Sequence, residues 1–103
     1  MLFRSTFSSD LEDSQEILRE LLRLTEKATS RMRTRQLMAN TISIKVRFAD
    51  FRTISKSKTV DLPISGTQEC YLIAKKLYES LKLDGARIRL VGISLEKIGR
   101  AHV

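Results

Sequence analysis

The sequence is poor in the residues that build covalent and metal sites. It contains one cysteine, Cys70, and one histidine, His102. A single cysteine excludes an internal disulfide and a zinc site made of cysteines. Because Cys70 lies in a helical pattern beside Tyr71 and Leu72, we interpret it as a core thiol rather than a nucleophile. His102 lies at the very end of the sequence, where we expect neither a metal ligand nor a base.

Other patterns typical of enzymes are also missing. The sequence has no glycine-rich phosphate loop, no nucleophile motif and no pair of acids at the end of an apolar strand. Asp50 is the one acid in a basic region, and we interpret it as a turn residue that accepts backbone N–H groups or pairs with Arg52. We therefore expect no catalysis by this chain alone.

No stretch of the sequence is long and apolar enough to span a membrane, and no secretory signal is present. We therefore expect no membrane partner and a cytoplasmic location. With 103 residues, 42% of them hydrophobic, the chain can form one core, so we expect a single domain over residues 1–103. The terminal sequences M-L-F-R and G-R-A-H-V neither open nor close an element cleanly, which favours a segment of a longer chain.

Positive charge is what the sequence has in excess. It holds 19 Lys and Arg against 12 Asp and Glu, a net charge of +7. Residues 9–20 carry five acids and one base, whereas residues 31–58 carry eight bases and one acid. Such a surplus indicates the kind of partner rather than the fold. It favours nucleic acid, an anionic membrane or an acidic protein.

The hydrophobic pattern predicts six elements. The first is a strand over Phe3–Ser8, followed by a helix that is capped by Ser9 or Asp10 and has an apolar face as far as Leu37. Two strands come next, one over Thr41–Phe48 and a returning one over Arg52–Val60 that Leu62-Pro63 ends. The second helix begins at Ser65-Gly66-Thr67 and stops at Asp84-Gly85, and the last strand covers Ala86–Leu95. Gly92 predicts a bulge or a close approach of backbone. This order predicts an α+β, two-layer βαββαβ fold, with a four-stranded, mainly antiparallel sheet and both helices on one face, as in ferredoxin-like domains.

Strict alternation over Thr41–Phe48 predicts an inner face of Ile42, Ile44, Val46 and Phe48 and an outer face of Thr41, Ser43, Lys45 and Arg47. Cations and hydroxyls on an uncovered sheet face can contact phosphate oxygens, with an affinity that depends on salt. The candidate phosphate ligands are Lys45, Arg47, Arg52, Lys56 and Lys58, with Ser55, Ser57 and Thr59 as hydroxyl partners. The alternative is that these cations only maintain solubility and block edge pairing. Base stacking is not expected, since Phe48 alternates inward and Phe51 is expected to pack at the turn.

Three segments carry a resemblance to a known family. T-F-S-S-D-L-E-D, I-S-I-K-V-R-F-A-D-F-R-T-I-S-K-S-K-T and R-L-V-G-I-S-L resemble the C-terminal little-finger domain of Y-family translesion DNA polymerases of the bacterial DNA polymerase IV type. The resemblance covers Ser5 to Ile98, and F-A-D-F-R-T followed by S-K-S-K-T is its most specific part. It implies a domain tethered to a catalytic core that lies along the major groove of double-stranded primer–template DNA and grips phosphates.

The resemblance also implies particular site residues and partners. It proposes Ser55, Lys56, Ser57, Lys58 and Thr59 as phosphate contacts, together with Arg89 and Ser94 on the last strand. The metal-binding palm, the fingers and the thumb are absent, so no cofactor is expected in this domain and magnesium belongs to the missing palm. A sliding clamp is a further candidate partner, although G-R-A-H-V does not match a clamp-binding tail. The alternative function is a protein-interaction module that docks a sliding clamp, another replication or repair partner, or an acidic partner, through the acidic face of the first helix or a sheet edge.

Overall fold

The structure, a computed structural model, describes residues 2–83 and 85–100. Asp84 and His102, which the sequence analysis named, lie outside these ranges. The six elements follow the predicted order. They are β1 (Leu2–Leu11), α1 (Ser14–Thr34), β2 (Leu37–Phe48), β3 (Thr53–Ile64), α2 (Thr67–Ser80) and β4 (Ile88–Arg100).

The four strands form one sheet in the order β1-β4-β2-β3, and each pair of neighbours is antiparallel. Strand β4 therefore lies between β1 and β2, and β2 lies between β4 and β3. Each helix connects two strands that are separated by a third, which makes two interlocking split β-α-β units. The predicted two-layer α+β fold is confirmed.

The core lies between the helices and one face of the sheet. Strand β2 contributes Ile42, Ile44 and Val46, all essentially inaccessible to solvent, as the alternation predicted. The matching residues of β4, the buried side chains of α1 and α2, and Cys70 complete this cluster. The interpretation of Cys70 as a core thiol is confirmed. Because the helices cover only this face, the polar residues of β2 lie on the uncovered side.

The predicted start of the first helix was wrong. The chain remains in β1 as far as Leu11, which pairs with Ile88 of β4. The helix cap is instead Asp13, whose carboxylate accepts a hydrogen bond from the backbone N–H of Gln15 at 2.9 Å. Pairing with β4 satisfies backbone N–H and C=O groups near Leu11 that a helix beginning at Ser9 or Asp10 would have used in its first turn.

The strands are also longer than predicted. Strand β2 begins at Leu37, because α1 ends at Thr34 and Gln36 takes a left-handed conformation with φ of 57°. Strand β3 continues through Pro63 to Ile64, which is possible because it is an edge strand and Pro63 needs no ladder partner for its missing N–H. Strand β4 extends to Arg100.

Of the two roles predicted for Gly92, a bulge or a close approach of backbone, the close approach is confirmed. A Cβ atom at this position would lie 3.2 Å from both the Phe3 carbonyl oxygen and the Arg4 Cβ, so the backbones do approach closely. The pairing of β2 with β4 stays regular there. The irregularity falls three residues earlier, where Arg47 and Phe48 oppose Leu90 and Ile88 and leave Arg89 as the extra residue of a β-bulge.

Candidate nucleic-acid interface

The uncovered side of the sheet, called here the open face, is built from alternate residues of all four strands. Strand register brings fourteen described side chains or glycines to this side. They are Arg4 and Thr6 of β1, Leu90, Gly92, Ser94 and Glu96 of β4, Thr41, Ser43, Lys45 and Arg47 of β2, and Thr53, Ser55, Ser57 and Thr59 of β3.

Hydroxyl groups form paired rows across β2 and β3. The hydroxyl oxygens of Thr41 and Thr59 lie 3.0 Å apart, and those of Ser43 and Ser57 lie 2.8 Å apart. Beside them is a depression of about 300 Å³ lined by Ser43, Ile44, Lys45, Ser55, Ser57 and Ser94. Each hydroxyl has two lone pairs and one proton, so a paired hydroxyl can still bind a ligand oxygen or N–H.

The three described cations of the open face lie on two strands, Arg4 on β1 and Lys45 and Arg47 on β2. Lys45 opposes Gly92 on one side of β4, and Arg4 opposes the same glycine on the other side. Arg47 donates from Nε to the hydroxyl of Thr53 at 3.0 Å. Within the described part of the chain, no carboxylate forms a salt bridge with any of these three cations. Their charges are therefore available to an anionic partner.

The S-K-S-K-T segment does not act as one surface. Ser55, Ser57 and Thr59 lie on the open face, as their register with Lys45, Ser43 and Thr41 requires. Lys56 and Lys58 oppose Ile44 and Ile42, so they emerge on the helix side of the edge strand. Alternation along a strand sends neighbouring residues to opposite sides. The five residues predicted as phosphate ligands are therefore divided between the two sides of β3.

The turn between β2 and β3 is organised by Asp50. Its carboxylate accepts from the backbone N–H of Arg52 at 3.1 Å and from Arg52 Nε at 2.8 Å. These hydrogen bonds and the nearby positive charge lower the pKa of the Asp50 carboxyl. The interpretation of Asp50 as a turn residue paired with Arg52 is confirmed. Arg52, a predicted phosphate ligand, thus already has an anionic partner.

Phe51 was expected to pack at the turn, and that expectation was wrong. Its side chain is 64% exposed, and its backbone is left-handed with φ of 71°. The guanidinium carbon of Arg89 lies 4.6 Å from the centre of the Phe51 ring. Arg89, expected as a phosphate ligand from the last strand, therefore lies at the hairpin end of the sheet, whereas Ser94 lies in its middle.

Sequence reasoning missed Arg4 and Thr6 of the open face. The signal for them is the weak alternation in F-R-S-T-F-S, in which Phe3, Ser5 and Phe7 turn toward α1. Arg4 and Thr6 then fall on the opposite side with Gly92 and Leu90. The alternation in β1 is too short to show from the sequence which of its residues share a face with the outer residues of β2. That relation follows only from the pairing of β1 with β4 and of β4 with β2.

No group of three or more His, Cys, Asp and Glu side chains is placed to hold a metal ion in the described ranges. None of the described helices has the length and hydrophobicity needed to cross a membrane.

Fold and surface together define a two-layer α+β domain with a cationic, hydroxyl-rich sheet face. The sequence matches the impB/mucB/samB family C-terminal domain over residues 2–103. The chain belongs to this family, the C-terminal little-finger domains of Y-family DNA polymerases of the DNA polymerase IV type. The resemblance drawn from the sequence is confirmed.

Relatives and solved structures agree with this assignment. A DNA polymerase IV of Staphylococcus aureus (strain JH9) is 34% identical over 90 residues, which make up 87% of this chain and 25% of the relative. The chain thus spans about a quarter of the curated relatives it matches. The crystal structure of DinB from Sulfolobus solfataricus aligns with a TM-score of 0.79 and 19% identity over 94% of this chain and 28% of that chain. A complex of beta-clamp processivity factor and little finger domain of PolIV aligns with a TM-score of 0.70 and 19% identity over 99% of this chain and 95% of that chain.

Proposed function

We propose that this chain is the DNA-holding domain of a translesion DNA polymerase and that its open face grips the phosphates of primer–template duplex. Catalysis, and the magnesium it uses, belong to the palm of the parent polymerase. We place the protein in the bacterial cytoplasm, on the nucleoid when bound to DNA. Family membership and the DNA polymerase IV relatives support this role.

The pair of cations on either side of β4 at Gly92 is the observation that carries the proposal. Gly92 has no side chain, and it is flanked across the sheet by Arg4 and Lys45. Since neighbouring strands are about 4.8 Å apart, the two flanking strands are roughly 10 Å apart. A phosphate that approaches the open face here meets both cations, with the hydroxyl of Ser94 two residues along the same strand. This chemistry fixes position and requires no particular base sequence.

The test compares two double variants that remove the same charge from opposite sides of the sheet. Fluorescence anisotropy measures binding of a labelled primer–template duplex over a range of salt concentrations. Lys45→Ala/Arg47→Ala should weaken binding and reduce the slope of log K against log salt by about 1.8, since each lost phosphate contact is worth about 0.9. Lys56→Ala/Lys58→Ala, with the same change in net charge, should reduce the slope by less than half as much. Equal effects would contradict the open-face assignment, and no binding by the unmodified chain at low salt would contradict the function.

A second candidate function is docking of a sliding clamp. Leu62 is 78% exposed on edge strand β3, an unusual position for a large apolar side chain, and a little finger domain similar in fold has been solved with a beta-clamp. Apolar docking should depend weakly on salt, unlike phosphate binding. Leu62→Ser should reduce capture by an immobilised clamp and leave duplex binding unchanged. Loss of duplex binding instead would assign Leu62 to the DNA surface.

A further inference from the structure

The hairpin tip holds an exposed aromatic ring in an unfavourable backbone conformation. Phe51 has φ of 71° and is 64% exposed. A bulky residue rarely adopts the left-handed region, because its Cβ crowds the following carbonyl group. Burial of so exposed a ring contributes little in return. The tip is kept in place by main-chain bonds, from Phe48 N–H to the Arg52 carbonyl at 2.8 Å and from Phe51 N–H to the Phe48 carbonyl at 2.9 Å.

The β-bulge at Arg89 supplies the partner of this ring. In a regular strand, Arg89 would point away from the face that Leu90 occupies. The extra residue at the bulge changes that direction, as bulges commonly do. The Arg89 guanidinium then lies over the Phe51 ring, with 4.6 Å between its carbon and the ring centre. Two local irregularities, one on each side of the contact, therefore meet in a single stacked pair.

We propose that Phe51 is a positioning residue for Arg89, holding its guanidinium so that the N–H edge meets a phosphate of the bound duplex. The inference rests on the proposed function and assigns to Phe51 a role in it, which is to orient the expected phosphate ligand Arg89. A guanidinium stacked through its face keeps all five N–H donors of its edge free. Fixing the side chain before binding also reduces the entropy lost when the contact forms.

Two other arginines at this end of the sheet are paired with carboxylates, whereas Arg89 pairs with none of the described ones. Arg52 also stacks on a ring, that of Phe48 at 5.2 Å, but its Nε is bonded to the Asp50 carboxylate. Arg87 has Glu12 at 3.6 Å. Within the described ranges, Arg89 has no carboxylate partner. Of these three arginines, Arg52 and Arg87 are paired with carboxylates, and Arg89 is stacked on a ring with its charge free to bind an anion.

The decisive variant is Phe51→Asn, because asparagine tolerates the left-handed conformation that phenylalanine does not favour. The variant should unfold at a temperature at least as high as the unmodified chain. It should nevertheless bind labelled primer–template duplex about three-fold more weakly, the effect expected when one cation–π contact no longer orients the guanidinium. A ring with a merely structural role would give the reverse, a lower unfolding temperature with unchanged affinity.

A double-mutant cycle completes the experiment. Arg89→Ala should weaken binding and reduce the salt slope by about 0.9. Phe51→Asn/Arg89→Ala should bind no more weakly than Arg89→Ala, since the ring acts only through Arg89. Arg52→Ala, in which the lost arginine is already paired with a carboxylate, should change the slope less than Arg89→Ala.

The outcomes separate this inference from the function on which it rests. The positioning role would be overturned if Phe51→Asn bound duplex with unchanged affinity. It would also be overturned if the affinity losses of the two single variants multiplied in Phe51→Asn/Arg89→Ala. If Lys45→Ala/Arg47→Ala still weakens binding in that case, the open-face function stands. If the unmodified chain does not bind duplex at low salt, both are overturned.

Discussion

The ammonium group of Lys56 donates a hydrogen bond to the hydroxyl of Ser80, with 2.7 Å between Nζ and Oγ. The same hydroxyl donates to the carbonyl oxygen of Leu77 at 2.7 Å. Edge strand β3 is thereby tied to the C-terminal end of α2. Helix α2 has no basic residue in its own last turn, so Lys56 supplies the positive charge that the helix dipole favours there. A residue predicted as a phosphate ligand thus has a partner within its own fold.

Lys56→Ala should therefore affect stability. The loss in unfolding free energy should be about 0.5 kcal/mol, the size expected for an exposed charge at a helix C-terminus. Urea denaturation of Lys56→Ala, Ser80→Ala and the double variant measures it. Lys58→Ala is the matched control, because Lys58 lies on the same side of β3 and forms no hydrogen bond or ion pair with the described residues. If Lys58→Ala costs as much as Lys56→Ala, the Ser80 contact is not the cause.

The cap of α1 gives a second prediction. Asp13→Ala removes the carboxylate that accepts the Gln15 N–H and should lower the unfolding free energy by about 1 kcal/mol. The measurement is the urea midpoint at constant m value. Asp10→Ala is the control, since Asp10 lies within β1 and carries the same charge. A larger loss in Asp10→Ala would restore the helix start that the sequence suggested.

The sequence predicted most of the fold because its patterns are local. Alternation over Thr41–Phe48 separates core from surface residues without knowledge of any neighbour, and the structure agrees. The start of α1 could not be predicted in the same way. Ser9, Asp10 and Asp13 are all good caps, and the choice among them depends on how far β1 pairs with β4.

The candidate site needed information that no single segment contains. The S-K-S-K-T pattern was correctly placed on a strand, but only the register with β2 shows that its hydroxyls and its lysines lie on opposite sides. Arg4 and Lys45 are far apart in sequence, and they lie on either side of Gly92 only because β1 and β2 both pair with β4. The Phe51–Arg89 pair likewise depends on a bulge that no sequence signal marked.

Cys70 gives a prediction about pH. Burial raises the pKa of its thiol to about 11, with a smaller contribution from the Glu69 carboxylate. The thiol of the unfolded chain titrates near 8.5. Between these values the folded state holds a proton that the unfolded state has lost, so stability falls as pH rises. The contribution is complete below about pH 8.5 and is lost by about pH 11.

The expected loss across this window is on the order of 3 kcal/mol, at about 1.4 kcal/mol for each unit of difference in pKa. Unfolding by urea at several pH values between 8 and 11 measures it. Tyrosines and lysines also titrate at alkaline pH, so the Cys70→Ala variant supplies the reference. Cys70→Ala should be less stable than the unmodified chain at pH 8, where it has lost a buried side chain, and the two should converge as pH rises. Parallel curves would mean that Cys70 ionises equally in the folded and unfolded states, contrary to its place in the core.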